Sequence, residues 1–253
     1  MNKLLLAVVG AASLGVAAPA AAADLAARPY TKAPAMVAAI YNWSGAYVGI
    51  NGGWGNSHSS WSTTSLGGFP IAFDEGSHDA SGGTVGGQIG YRWQSQAWVF
   101  GLEAQGNWAD FSGSNVTLIP LVGITNRTKV DAFGLFTGQI GYAFNNALLY
   151  VKGGAAVVDD KHEGLVAGTV LDRSSDTRWG GTVGAGVEFG FAPNWSAGVE
   201  YDHIFLGKNN YAFTGVNPLV AGINTRNDDI KQDLDTVTVR VNYRWGGPLV
   251  AKY

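Results

Sequence analysis

Apolar and polar residues alternate with period two along most of the chain, most clearly in residues 179–203. There Trp179, Gly181, Val183, Ala185, Val187, Phe189 and Phe191 interleave with Gly180, Thr182, Gly184, Gly186, Glu188 and Gly190. After Ala192-Pro193-Asn194 the pattern resumes, with Trp195, Ala197, Val199 and Tyr201 against Ser196, Gly198, Glu200 and Asp202. Successive side chains of a strand point to opposite faces, so each half is a strand with one apolar and one polar or tiny face. Proline cannot stay in a ladder and asparagine tolerates turn geometry, so the break is a tight turn and the unit a β-hairpin.

The same alternation predicts six more strands, near residues 43–54, 83–93, 98–108, 130–144, 149–157 and 236–245. In the fourth, Phe133 and Leu135 are apolar exceptions on the polar face. Tight turns at 94–96, Asn145-Asn146 and 192–194 alternate with long polar, glycine-rich loops at 56–79, 109–129, 159–177 and 206–232. This is an all-β fold, an eight-stranded antiparallel up-and-down barrel with both ends on the short-turn side. Ahead of it, Lys3, the apolar run Leu4 to Val16 and the small residues after Pro19 have the layout of a secretory signal peptide. The expected organisation is a signal peptide over 1–22, a proline-interrupted periplasmic lead over 23–42 and the barrel domain over 43–253.

Alternation does not say which face points inward. A soluble barrel hides its apolar row and a membrane barrel inverts it. The polar row carries Arg92, Glu103, Asp131, Lys152, Glu188, Glu200, Asp202, Arg240 and Arg244, together with glycines that suit a narrow lumen. Trp98 and Trp108 bracket the apolar row of the third strand ten residues apart. At roughly 3.3 Å per residue and a tilt of around 40° that separation is about 25 Å, the height of a lipid-facing band between aromatic girdles. Trp54, Trp93, Trp179, Trp195 and Trp245 also sit near strand ends and complete the expected girdles. A signal peptide and a girdled barrel together imply the outer membrane, where closed barrels satisfy their own backbone.

Composition narrows the chemistry. The chain has 37 Gly, 12% aromatic and 14% charged residues, no Cys and a formal charge of -3. With no basic run, nucleic acid is not an expected partner. Without Cys there are neither disulfides nor thiolate metal sites.

Several stretches are similar to the small OmpA-like β-barrel, or porin-family, outer-membrane proteins of alphaproteobacteria. They are Ala23-Asp24-Leu25 and Tyr30-Thr31-Lys32-Ala33-Pro34, then Asn42-Trp43-Ser44-Gly45-Ala46-Tyr47-Val48-Gly49. Gly87-Gln88-Ile89-Gly90-Tyr91, Gln139-Ile140-Gly141-Tyr142-Ala143 and Leu149-Tyr150-Val151-Lys152-Gly153-Gly154-Ala155-Ala156 follow, and Val239-Arg240-Val241-Asn242-Tyr243-Arg244-Trp245 is the last. The resemblance spans the chain. It implies an eight-stranded outer-membrane barrel without an enzymatic site. Members that end soon after the eighth strand, as this chain does at Tyr253, lack a separate peptidoglycan-binding domain.

The inward charges read as a salt-bridged plug, since buried charges must be paired and eight strands leave room for side chains only. A narrow, porin-like channel for small solutes is the alternative. The four His residues (His58, His78, His162, His203) share no metal-ligand spacing, so no metal or cofactor is expected. Two readings compete for the loops: binding of a surface ligand such as haem or a host molecule, and lipid-A modification through His58-Ser59 or Ser77-His78. The expected function is non-enzymatic, contributing to envelope integrity and surface interaction. Outer-membrane lipids and lipopolysaccharide are the expected partners, and no extracellular ligand is named by the residues. The small-residue rule allows cleavage before Ala23 or before Asp24, and the resemblance favours the first; that cleavage frees an unhindered amine, a candidate nucleophile for attachment to peptidoglycan, against the alternative of an uncrosslinked tail.

Overall fold

In the computed structural model, which describes residues 41–117 and 123–245, eight strands form a closed antiparallel barrel. They are β1 (Gly45–Leu66), β2 (Phe69–Ser95), β3 (Trp98–Val116), β4 (Ile124–Phe144), β5 (Ala147–Val166), β6 (Thr169–Ala192), β7 (Trp195–Gly215) and β8 (Asn224–Trp245). Each strand pairs with its neighbours in sequence, and β1 closes the ring on β8 from Ala46 opposite Trp245 to Leu66 opposite Arg226. The signal-peptide stretch, Ala23 and the lead up to residue 40 lie outside the described residues.

The apolar row faces out. Ile50, Val85, Ile89, Val187 and Val199 are exposed, whereas Glu103, Glu188, Glu200 and Arg240 are buried. Short turns close one end, with Gln96 and Asn145 in the left-handed region at φ 56° and 51°. At the other end the four long segments expected as loops are largely ladder. β1 continues to Leu66, turns at Gly67-Gly68 and returns from Phe69, and β5 does the same through Ala167-Gly168. Strands of 19 to 27 residues far exceed the 9–11 or so that cross a bilayer. Above the lipid the outward face becomes polar (Asn56, His58, Ser60), so the apolar contrast that marks a strand disappears while backbone pairing continues.

Two placements differ from the sequence expectation. A bulge between Val130 and Ala132 turns Asp131 out of the lumen, where Lys161 Nζ meets it at 2.5 Å. Trp43 is not part of β1: it packs with Tyr41, Val99, Leu148 and Tyr150 inside the short-turn mouth. Phe133 and Leu135 point inward with Phe111, Val158, Ile204 and Leu234, forming an apolar layer across the barrel above the ionic one.

Candidate functional site

The interior is built from the inward row of each strand. At its centre Lys152 Nζ lies 2.7 Å from Glu200 Oε1 and 3.3 Å from both Glu103 and Asp202. Arg240 bridges the other carboxylate oxygens of Glu103 and Glu200. Two tyrosines complete the network, Tyr47 donating to Glu103 and Tyr150 to Glu200, each at 2.6 Å. Glycine makes their placement possible: a Cβ on Gly90 would lie 2.5 Å from the Tyr47 hydroxyl, and one on Gly186 equally close to that of Tyr150. Toward the short turns Arg92 pairs with Glu188 at 2.8 Å and lies 4.5 Å from the Tyr47 ring centroid. Arg244 instead donates to the backbone carbonyls of Ser44 and Pro193 and covers the Tyr41 ring.

With Asp131 outside, the predicted inward set balances, four cations (Arg92, Lys152, Arg240, Arg244) against four carboxylates (Glu103, Glu188, Glu200, Asp202). The balance matters because a buried charge without a counter-ion costs several kcal/mol. Neutral amides fill the flank. Asn107 donates to Asn51, Asn51 to Gln88 and Gln88 to Asn242, at 2.6 to 2.7 Å.

A second polar layer, missed by the sequence reading, lies beyond the apolar one. Arg226 is shared by Glu75 (3.1 Å), Asp172 (3.4 Å) and Asp228 (3.3 Å), and Glu75 also accepts from Asn126 and Thr63 at 2.6 Å. Below it His78 and His162 approach Thr128 Oγ1 from two sides, at 3.0 and 3.3 Å, against Trp61 and Tyr211. Arg178 donates to the carbonyls of Leu206 and Gly207, where pairing between β6 and β7 breaks from Arg173–Thr214 to Gly181–Phe205. The signal was present: even-numbered residues of β8 face inward without interruption from Arg226 to Arg244. Extending that parity past Thr236 finds Asp228 and Arg226.

Burial and the nearby Glu75 and Asp172 push Asp228 up to about 7, with Arg226 pulling the other way. Its folded pKa lies above its unfolded value, so its stabilising contribution is complete below pH 4 or so and is lost as pH rises through about 7. Burial holds His78 below its ordinary value, so that group acts oppositely and disfavours acid. Asp228→Asn should therefore remove up to roughly 4 kcal/mol of pH-dependent stability from this end of the barrel. Hydrogen exchange of β1 and β8 amides near Thr63 and Asp228 at pH 5 and pH 8 measures it. An unchanged slope in the variant would assign the effect to another group.

The seven predicted girdle tryptophans (Trp54, Trp93, Trp98, Trp108, Trp179, Trp195, Trp245) are all exposed on the outer face. Histidines outside the lumen form carboxylate pairs, His58 with Asp79 at 2.7 Å and His203 with Asp235 at 2.6 Å. In the two candidate catalytic neighbours, strand alternation separates the partners. His58 points out and Ser59 in, while Ser77 points out and His78 in. Among the described residues no group of three His, Asp or Glu side chains is placed to hold a metal ion.

Residues 8–245 match the outer membrane protein β-barrel domain family. The chain is 31% identical to the 31 kDa outer-membrane immunogenic protein of Brucella melitensis, covering 90% of this chain and 95% of that one. It is 34% identical to the 22 kDa outer membrane protein of Rhizobium leguminosarum over 50% of this chain and 54% of that one. Among solved structures, the outer membrane protein OprG of Pseudomonas aeruginosa shares the fold, with a TM-score of 0.57 and 14% identity over 82% of this chain and 99% of OprG. By its matched residues and its closed ring of strands, this chain belongs to the outer membrane protein β-barrel family, of the small OmpA-like kind found in alphaproteobacteria, and its place is the bacterial outer membrane.

Proposed function

We propose that the protein is a non-enzymatic, non-conducting barrel that reinforces the outer membrane and presents its long hairpins to the outside. One observation carries this reading. The lumen is crossed by the Lys152–Arg240 ion network, and above it by the Phe111–Leu135–Leu234 apolar layer. Ions crossing would have to displace paired, desolvated charges and then pass a layer lined mainly by apolar side chains, which replace little of their hydration. The test is conductance of refolded protein in planar lipid bilayers. The expected record has no stable single-channel steps, and reproducible unitary steps would instead establish the narrow channel.

Surface interaction rests on the hairpins, which carry paired backbone well past the tryptophan belt. The Brucella relative is named as an immunogenic protein, and exposure of these hairpins fits such a role. Against an enzyme of lipid A stands the separation of His58 from Ser59 and of Ser77 from His78 onto opposite faces.

A further inference from the structure

Two neighbouring hairpins end in apolar tips at the long-hairpin end of the barrel. The β1–β2 hairpin turns at Gly67-Gly68 and exposes Leu66, Phe69, Ile71 and Phe73 around the turn. The β7–β8 turn exposes Val216, Leu219 and Ile223. Phe69 and Leu219 are the most open of these, at 76% and 89%. The two tips touch: Gly67 donates its backbone N–H to the Thr225 carbonyl at 2.8 Å, and Leu66 lies opposite Arg226. Neither tip carries a charge, since residues 62–73 and 209–225 contain no Asp, Glu, Lys, Arg or His.

Height separates this surface from the membrane that holds the barrel. Leu66 is twelve residues beyond Trp54 of the belt along β1. At roughly 3.3 Å per residue and a tilt near 40° the tip stands about 30 Å above the belt, well past a headgroup zone of around 5–8 Å.

Exposed apolar side chains grouped in this way mark an interaction surface, and the backbone selects the partner. In the β7–β8 turn the N–H groups of residues 215–217, 219, 220, 222 and 223 all donate within the protein, and Pro218 has none to donate. Polar side chains are spent in the same way: Asn217 Oδ1 accepts from Leu219, Asn224 donates to Asn227, and Thr225 donates to Asp172. In the β1–β2 hairpin Leu66 and Phe69 pair across the turn, and Pro70 again offers no donor. An added β-strand needs free backbone groups along an edge, and a protein interface needs about one hydrogen bond per 100–200 Å². These tips offer little of either. Hydrocarbon makes the opposite demand, a backbone satisfied internally and no charge. Both tips meet it.

We infer that the joined β1–β2 and β7–β8 tips insert Leu66, Phe69, Leu219 and Ile223 into the lipid bilayer of an apposed membrane, so that the barrel bridges its own membrane to a second one. This rests on the reading that the long hairpins face outward, and it adds what they meet.

The test uses the full-length refolded protein in phosphatidylcholine nanodiscs and, as probe, phosphatidylcholine vesicles, with empty nanodiscs as the blank. The chain has no Cys, so Ala221→Cys takes an environment-sensitive fluorophore at one position. Vesicles should carry the protein-loaded nanodiscs with them on flotation and shift the label's emission to the blue, and half-molar salt should change neither, because no charge is involved. Phe69→Ser/Leu219→Ser should weaken vesicle binding by at least about thirty-fold, as the loss of two inserted side chains implies. Lys208→Gln/Lys231→Gln, on the polar wall below, should change it less than about two-fold. Circular dichroism checks that both variants keep the barrel, and the single Leu219→Ser variant gives a second reading. Absence of flotation, loss of binding in salt, or equal losses in the two double variants would overturn the inference. Nanodiscs that pair without vesicles, and do so only with Phe69 and Leu219 intact, would assign the tips to a second copy of this chain and overturn it too. Labelling of Ala221→Cys on whole cells by a membrane-impermeant thiol reagent separates the two readings. A labelled but non-binding protein sinks the bilayer contact alone, whereas an unlabelled one sinks the outward orientation beneath it.

Discussion

Replacing Arg240 by Ala should lower the unfolding free energy in detergent micelles by about 3–5 kcal/mol. Its guanidinium is 1% exposed and serves Glu103, Glu200 and the Tyr150 hydroxyl together. Among the described residues, truncation leaves Lys152 as the ion-pair partner of Glu103, Glu200 and Asp202, three buried carboxylates. The penalty is that of uncompensated charge rather than of one lost hydrogen bond. Lys161→Ala is the comparison, because its bond to Asp131 is more than two-fifths exposed on both sides. An exposed pair of that kind is worth about 1 kcal/mol or less. Denaturant unfolding followed by tryptophan fluorescence reads both variants. Equal midpoints would mean that the lumen charges are solvated and that the barrel is not plugged.

The membrane half of this fold was legible in the sequence, and the outer half was not, for one physical reason. In lipid the outer face must be apolar and the inner face of a narrow barrel is polar, so Val187–Glu188 or Val199–Glu200 writes the strand into the residues. Beyond the lipid both faces contact polar surroundings. Ser57, His58, Ser59 and Ser60 then read as loop even though each has a partner on β2 and on β8. The upper ionic layer fell into that blind region, and with it Glu75, Asp172, Arg226 and Asp228. Asp131 failed differently. A bulge shifts parity by one residue, and Val130 and Phe133 can then both be inward while the residue beside them is turned out. Trp43 failed because alternation cannot tell the first residue of a strand from the last residue of a plug. Both Trp43 and Tyr47 keep the inward parity, but only Tyr47 is in the ladder.

The orientation of the barrel in lipid leads to the second large effect. Val199 is 46% exposed on the outer face of β7, directly opposite Val187 on β6 and Val239 on β8, all apolar and all outward. Four residues earlier on the same strand, Trp195 packs edge-on against Tyr243 in the belt near the short turns. A cation at the bilayer midplane costs roughly 2–4 kcal/mol, falling to about 0–1 kcal/mol near an interface, where it can reach water and headgroups. Val199→Arg should therefore destabilise the barrel in phospholipid bilayers by roughly 2–4 kcal/mol. Trp195→Arg should cost less, mainly the lost contact with Tyr243. In micelles, which deform around a charge, the gap between the two should shrink. Spin labels at positions 187 and 199 give an independent reading that does not depend on refolding yields: relaxation by a lipid-soluble agent such as oxygen should dominate over relaxation by a water-soluble nickel complex at both. Water accessibility at both positions, together with a small cost for Val199→Arg, would turn the barrel inside out and put the Arg240 network on the wrong side of the wall.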